Sequence, residues 1–146
     1  MAQDAPARDD GFLEQVFVAD VEKTPEVIEF IAGHAGDWGL HPKRLMQLEL
    51  AVEEAVVNIC LYAYEVPPGE LLVRIDPGEK SFIVELIDEG IPFDPLAQEE
   101  PDLRAAAEER AVGGLGIFLV RRVMDEVAYH RDGPRNVLRL VIHRPA

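Results

Sequence analysis

Leu50-Ala51-Val52-Glu53-Glu54-Ala55-Val56-Val57-Asn58-Ile59 is the stretch on which the fold turns. Around it Leu48, Ala51, Val52, Ala55, Val56, Ile59 and Ala63 recur at helical spacing, so the segment predicts a helix with one continuous apolar stripe. Glu53, Glu54 and Asn58 are its only polar side chains between Leu50 and Tyr62. Glu54 and Asn58 stand four residues apart and project from one face, a turn from each other. An amide in so apolar a helix needs partners, because a buried unpaired one costs about 1–3 kcal/mol. Two readings follow. In one, Asn58 is a satisfied core residue and Glu54 faces solvent. In the other, Asn58 ligates Mg²⁺ through its carbonyl oxygen and Glu54 orients or deprotonates an attacking hydroxyl. One protein ligand is enough there, since Mg²⁺ keeps waters and phosphate oxygens for the rest of its shell.

Working outward, His41-Pro42 opens this helix and Pro67-Pro68-Gly69 stops it, near residue 64. Before it, residues 12–19 read as a strand. Thr24-Pro25 reads as an N-cap with proline at the first helical position, opening a helix to about Trp38 with Gly39 beyond it. After it, residues 71–76 and 81–87 form a hairpin across Pro77-Gly78-Glu79. Residues 93–112 are acidic and irregular, with a short helix expected near 103–110. Gly113-Gly114-Leu115-Gly116 then enters an apolar helix reaching about Met124, and residues 127–131 and 137–143 pair as strands across Asp132-Gly133-Pro134. The grouping of strands and helices predicts an α+β, two-layer sandwich: a mostly antiparallel sheet with helices on one face.

The 146 residues predict a single domain at 12–146 behind a short disordered leader, 1–11, without a signal pattern. No apolar run approaches the roughly 20 residues of a membrane span. One cysteine, Cys60, rules out an internal disulfide, and the cytoplasm is the expected location. Fourteen basic against 28 acidic residues, a net charge of -14, argue against direct nucleic-acid binding, which needs clustered Lys and Arg. The same charge suits a basic protein partner.

Three further signals carry chemistry. In residues 81–87, Phe82, Val84 and Leu86 share a face, and Asp88 continues their phase if the strand persists. A carboxylate beside an apolar row needs a donor, such as the exocyclic amine of adenine, and Gly90 would let the backbone approach a ring closely. A turn after a strand also favours Asp and Gly. Closely spaced glycines before an apolar helix, Gly113 to Gly116, offer N–H groups to a phosphate or simply a flexible entry. The pattern is neither a Walker A loop nor a dinucleotide fingerprint, and no eukaryotic-type kinase motif occurs. Asn136 shares the phase of Leu138, Leu140 and Ile142; it is either a second contact to a base beside Asp88 or a turn asparagine.

Taken in order, Glu54-x-x-x-Asn58, Asp88-x-Gly90 and Gly114-Leu115-Gly116 resemble the N box and glycine boxes of the gyrase/chaperone/histidine-kinase ATPase superfamily. The resemblance spans residues 12–143. Asp88-Glu89-Gly90-Ile91-Pro92-Phe93-Asp94-Pro95, and the Gly113–Asp125 run ending in Met124-Asp125, are similar to its anti-sigma-factor serine/threonine kinase branch. That resemblance implies a Bergerat-type fold, an ATP·Mg²⁺ site and possession of homodimers. It also implies phosphorylation of an anti-anti-sigma, STAS-type partner and binding of a sigma factor. It assigns Glu54 as base and Asn58 as Mg²⁺ ligand. Asp88, Gly90, Phe93, Arg110, Gly113, Gly114, Leu115, Gly116 and Asn136 become nucleotide-binding residues, with residues 93–112 as the ATP lid. Departures are Pro92 where the superfamily has a second glycine, Tyr62 where a histidine is common, and a lid rich in acid. Other functions consistent with the chain are a non-catalytic ATP-binding module that binds a partner, and a histidine-kinase core. The latter lacks a helix-borne phosphoacceptor histidine ahead of Asn58.

Overall fold

The structure, a computed structural model, describes residues 12–66, 69–97 and 116–145. Strand β1 (Leu13–Ala19) leads through a 3₁₀ turn (Val21–Lys23) into helix α1 (Thr24–Trp38), followed by α2 (Pro42–Tyr62). Strands β2 (Gly69–Pro77) and β3 (Ser81–Asp88), helix α3 (Gly116–Val123), and strands β4 (Glu126–Asp132) and β5 (Arg135–His143) complete the described elements. The expected leader at 1–11 and short helix near 103–110 lie outside the described residues.

The five strands form one antiparallel sheet in the order β1-β2-β3-β5-β4. Alternation puts Phe82, Val84, Leu86 and Asp88 on one face of β3, all buried. Leu71, Val73 and Ile75 of β2 and Leu138, Leu140 and Ile142 of β5 share that face. The apolar stripe of α2, together with Val27, Ile31 and Ala35 of α1 and Val120 of α3, closes over it as a single core. The expected two-layer α+β sandwich is therefore what the chain adopts. On the opposite face the register lines up Glu14, Arg74, Glu85 and Arg139 across four strands. Arg74 donates to Glu14 at 2.8 Å and to Glu85 at 2.9 Å.

Local chemistry explains the boundaries. His41 caps α2, its Nδ1 accepting from Lys43 N, with Pro42 at the first helical position. Gly39 ends α1 at φ +96°, the left-handed conformation that favours glycine. Gly133, φ +58°, opens the two-residue β4–β5 loop, as a II′ turn requires. One expectation is corrected: Thr24 does not cap α1. The 3₁₀ turn enters the helix first, capped by Asp20, whose Oδ1 accepts from Glu22 N, and the Thr24 hydroxyl donates to Val21 O.

Candidate active site

Asp88 is the last residue of β3 and pairs in register with Asn136, the second residue of β5. Only 3% of each residue is exposed. Asn136 Nδ2 donates to Asp88 Oδ1 at 2.8 Å, and Gly90 N donates to the same oxygen at 2.9 Å. Among the described residues both hydrogen bonds to the carboxylate fall on Oδ1, leaving Oδ2 to meet an incoming donor. Burial pushes the Asp88 pKa upward; the Asn136 and Gly90 bonds and the Arg131 charge oppose that shift without cancelling it.

Asn136 does more than touch Asp88. Its second Nδ2 hydrogen reaches Ile91 O at 2.7 Å. Its Oδ1 accepts from Tyr129 OH at 2.5 Å, Arg131 Nη1 at 3.1 Å and Phe93 N at 3.2 Å. Both donor hydrogens of the amide are thereby spent within the protein, and Asn136 holds Asp88 in place. Arg131 Nη1 also donates to Gly90 O at 2.9 Å, and Arg131 Nε to Gly133 O at 3.0 Å. Tyr129 and Arg131 escaped the sequence reading. The signal for Arg131 was nonetheless present: a hairpin closed by Gly133-Pro134 sets it directly across from Asn136.

The end of α2 is docked on this corner. Ala63 O accepts from Ile91 N at 2.8 Å. A Cβ on Gly90 would lie 2.1 Å from Ala63 O and 2.6 Å from its carbonyl carbon. Gly90 is thus required by the approach of the α2 backbone. Tyr64 spans the same corner: its hydroxyl donates to Glu70 O at 2.6 Å and accepts from Glu89 N at 3.0 Å. Phe93 packs its ring against Tyr62, centroids 5.8 Å apart.

Asn58 sits on α2 five residues before Ala63, about 7.5 Å along the axis at 1.5 Å per residue. It is fully buried, and its Nδ2 donates to Glu54 O at 2.8 Å. That bond holds the amide by its nitrogen, while its carbonyl oxygen is the hard donor that Mg²⁺ prefers. The ion would be held through that one oxygen together with phosphate; no cluster of three His, Cys, Asp or Glu exists among the described residues to bind a metal alone. Glu54 is half-buried, and burial first, then the neighbouring Glu53 charge, raises its pKa. A raised pKa makes a carboxylate a stronger proton acceptor.

Gly116 is the first residue of α3. Arg110, Gly113, Gly114 and Leu115 lie outside the described residues. The chain leaves the site through a second 3₁₀ turn (Pro95–Ala97), and Arg121 of α3 donates to Leu96 O there, so the described ends of this connection are tied together. Met124-Asp125 has a structural task. Met124 is buried, and Asp125 Oδ2 accepts from Arg44 Nη2 at 3.1 Å and from His143 N at 2.7 Å. Arg44 also donates to Val123 O at 2.6 Å, joining the start of α2 to the end of α3.

Residues 17–142 match the histidine kinase-like ATPase domain. The serine-protein kinase RsbW of Bacillus subtilis (strain 168) is 33% identical over 117 residues, covering 73% of this chain and 72% of that protein. RsbW of Listeria monocytogenes serovar 1/2a is 30% identical over 107 residues, covering 70% and 68%. Among solved structures, a chain of the SiaB-SiaC complex from Pseudomonas aeruginosa aligns over 88% of both chains, with 18% identity and a TM-score of 0.49. The chain belongs to the histidine kinase-like ATPase domain family, and within it to the serine/threonine kinases of the anti-sigma type.

Proposed function

We propose that this protein binds ATP·Mg²⁺ at the corner formed by Asp88, Asn58 and the start of α3, and transfers the γ-phosphoryl group to a serine or threonine of an anti-anti-sigma, STAS-type partner. The observation that carries the reading is Asp88: a buried carboxylate at a strand end, one oxygen clamped by Asn136 and Gly90, the other available to a donor. The exocyclic amine of adenine is such a donor. Supporting it, the curated relatives are serine-protein kinases.

In this mechanism Asp88 Oδ2 accepts from the base, and Phe93 stands beside it. Asn58 Oδ1 would ligate the Mg²⁺ ion, which supplies charge neutralisation to the phosphates when bound. Gly113, Gly114, Leu115 and Gly116 would direct backbone N–H groups at the phosphates, with Arg110 as the candidate cation of the lid. Glu54 orients the partner hydroxyl and takes its proton. Phosphoryl transfer needs in-line positioning and charge neutralisation more than covalent catalysis, and this set supplies both. The same partner logic extends to sequestration of a sigma factor by a homodimer in the cytoplasm. No helix among the described residues is long and apolar enough to cross a membrane.

The test is phosphate transfer from ATP to purified STAS-type candidate proteins, read by phosphoserine and phosphothreonine mass spectrometry. Transfer that depends on Mg²⁺ and on Glu54 supports the kinase reading. Nucleotide-dependent partner binding without any phosphoamino acid would instead establish a non-catalytic binding module.

A further inference from the structure

Ser81 is the only serine in the chain, and Thr24 the only threonine. Their hydroxyls are placed very differently. Thr24 is 5% exposed and spends its proton on Val21 O at 2.7 Å. Ser81 stands at an open corner of the sheet, where β3 begins, β5 ends and β4 begins. Its Oγ lies 2.7 Å from His143 Nδ1, and His143 Nε2 lies 2.5 Å from Glu126 Oε2. None of the three belongs to the nucleotide corner, since Asp88 closes the opposite end of β3.

The tautomer follows from the partners. A carboxylate only accepts, so Nε2 carries the proton that faces Glu126. In the neutral ring Nδ1 is then the acceptor left for the Ser81 hydroxyl. The result is a nucleophile, a base within hydrogen-bond reach of it, and a carboxylate that orients the base. Backbone pairing fixes all three. Ser81 and His143 are register partners of β3 and β5, and Glu126 lies across from Val141 on the β4–β5 ladder. Gly78 N donates to Ser81 O at 2.9 Å, and Asp125 Oδ2 accepts from His143 N at 2.7 Å. Ile83 and Val141, the next register pair on the same sheet face, add an apolar surface beside the hydroxyl.

We infer that Ser81 is a modification site, an activated hydroxyl that accepts a short acyl group from an acyl phosphate or a comparably activated ester. As Ser81 Oγ attacks the carbonyl carbon, its proton passes to His143 Nδ1, and Glu126 stabilises the imidazolium so formed. The bond from that carbon to the leaving oxygen then breaks. The leaving group departs as phosphate or aryloxide, and the imidazolium returns its proton to it or to solvent. One acyl–oxygen bond forms and one breaks, with no change in oxidation state. An acyl group is favoured over a phosphoryl group, because a dianion on Ser81 would meet Glu126 in a chain of net charge -14. A short alkyl chain instead lies along Ile83 and Val141. The side chains of His143 and Glu126 are 47% and 62% exposed, an openness that suits a single transfer onto the protein rather than turnover.

The probe is p-nitrophenyl acetate, which releases one p-nitrophenolate for each acetyl group transferred; acetyl phosphate serves as a second donor. The expected result with either is a single acetyl group on Ser81, located by mass spectrometry of the tryptic peptide. With the aryl ester its rate should exceed that of the same chain unfolded in urea by about 10²-fold or more. Ser81→Ala should remove this product. His143→Gln should slow it by about 10²-fold and Glu126→Gln by a smaller factor, each variant keeping the circular dichroism of the parent. Absence of acetyl-Ser81, a rate equal to that of the unfolded chain, or a rate indifferent to His143→Gln would overturn the proposal. So would phosphate rather than acetyl on Ser81 after treatment with acetyl phosphate. Neither ATP nor Mg²⁺ is needed, so the result is independent of the nucleotide site.

Discussion

Asn136 holds Asp88. Across the last register pair of β5 and β3, the asparagine Nδ2 lies 2.8 Å from the aspartate Oδ1. The same amide also gathers Ile91 O, Phe93 N, Tyr129 OH and Arg131 Nη1. One buried side chain therefore sets both the orientation of the carboxylate and the path of the segment that follows it.

Replacing Asn136 by alanine should consequently do two things. It strips partners from several buried polar groups, which costs about 1–3 kcal/mol for each one left unsatisfied. It also frees Asp88 to rotate, weakening nucleotide binding. Urea denaturation and ATP titration on the one variant check both effects; a variant as stable as the parent would show that the network is incidental.

Asp88 itself should trade stability for function. Its folded pKa is raised above the ordinary aspartate value of 3.8, chiefly by burial. Between 3.8 and that raised value the native state holds more protons than the unfolded state, so stability falls as pH rises through the window. Asp88→Asn keeps an oxygen for Gly90 N and Asn136 Nδ2 yet carries no charge. Relative to the parent it should therefore gain stability as pH rises from 4 to 7, with no gain below about 3.8, while losing ATP affinity. A stability difference that does not change with pH would refute the sign of this argument.

Two glycines should respond oppositely to alanine. Gly90→Ala drives a methyl into the Ala63 carbonyl and should destabilise by about 1–3 kcal/mol. Gly33→Ala meets open space in the middle of α1 and should stabilise by about 0.4–1 kcal/mol. Thermal denaturation of the pair decides the matter, because a close-approach role for Gly90 demands opposite signs.

Cys60 should be a poor nucleophile. Burial first, then the charges of Asp20 and Asp88, push its thiol pKa up to about 11. Alkylation by iodoacetamide at pH 8 should be slow against a free thiol of ordinary pKa near 8.5, and should accelerate on unfolding in urea. Rapid labelling of the native protein would place Cys60 outside the environment described.

Much of this was legible from the chain. The α2 stripe declared itself because seven apolar positions obey one helical period, and Asp88 followed from the alternation of β3 once the strand ran its full length. The structure adds a constraint on Gly90 that comes from Ala63, 27 positions earlier in the sequence, and a contact across two elements leaves no local pattern. Tyr129 shares the core-side phase of Val127 on β4, and Arg131 follows from the hairpin register that sets it across from Asn136, but neither belongs to a motif that singles it out. Thr24-Pro25 misled because a 3₁₀ turn capped by Asp20 produces the same local composition as a direct helix start.

Mg²⁺-dependent binding of ATP, measured by calorimetry on the intact chain beside Asn58→Ala and Asp88→Asn, bears most directly on the central claim. The account predicts one ATP per chain for the parent, loss of the Mg²⁺ dependence with Asn58→Ala, and loss of discrimination for adenine with Asp88→Asn. Absence of saturable ATP binding by the parent, or unchanged binding by both variants, would contradict it.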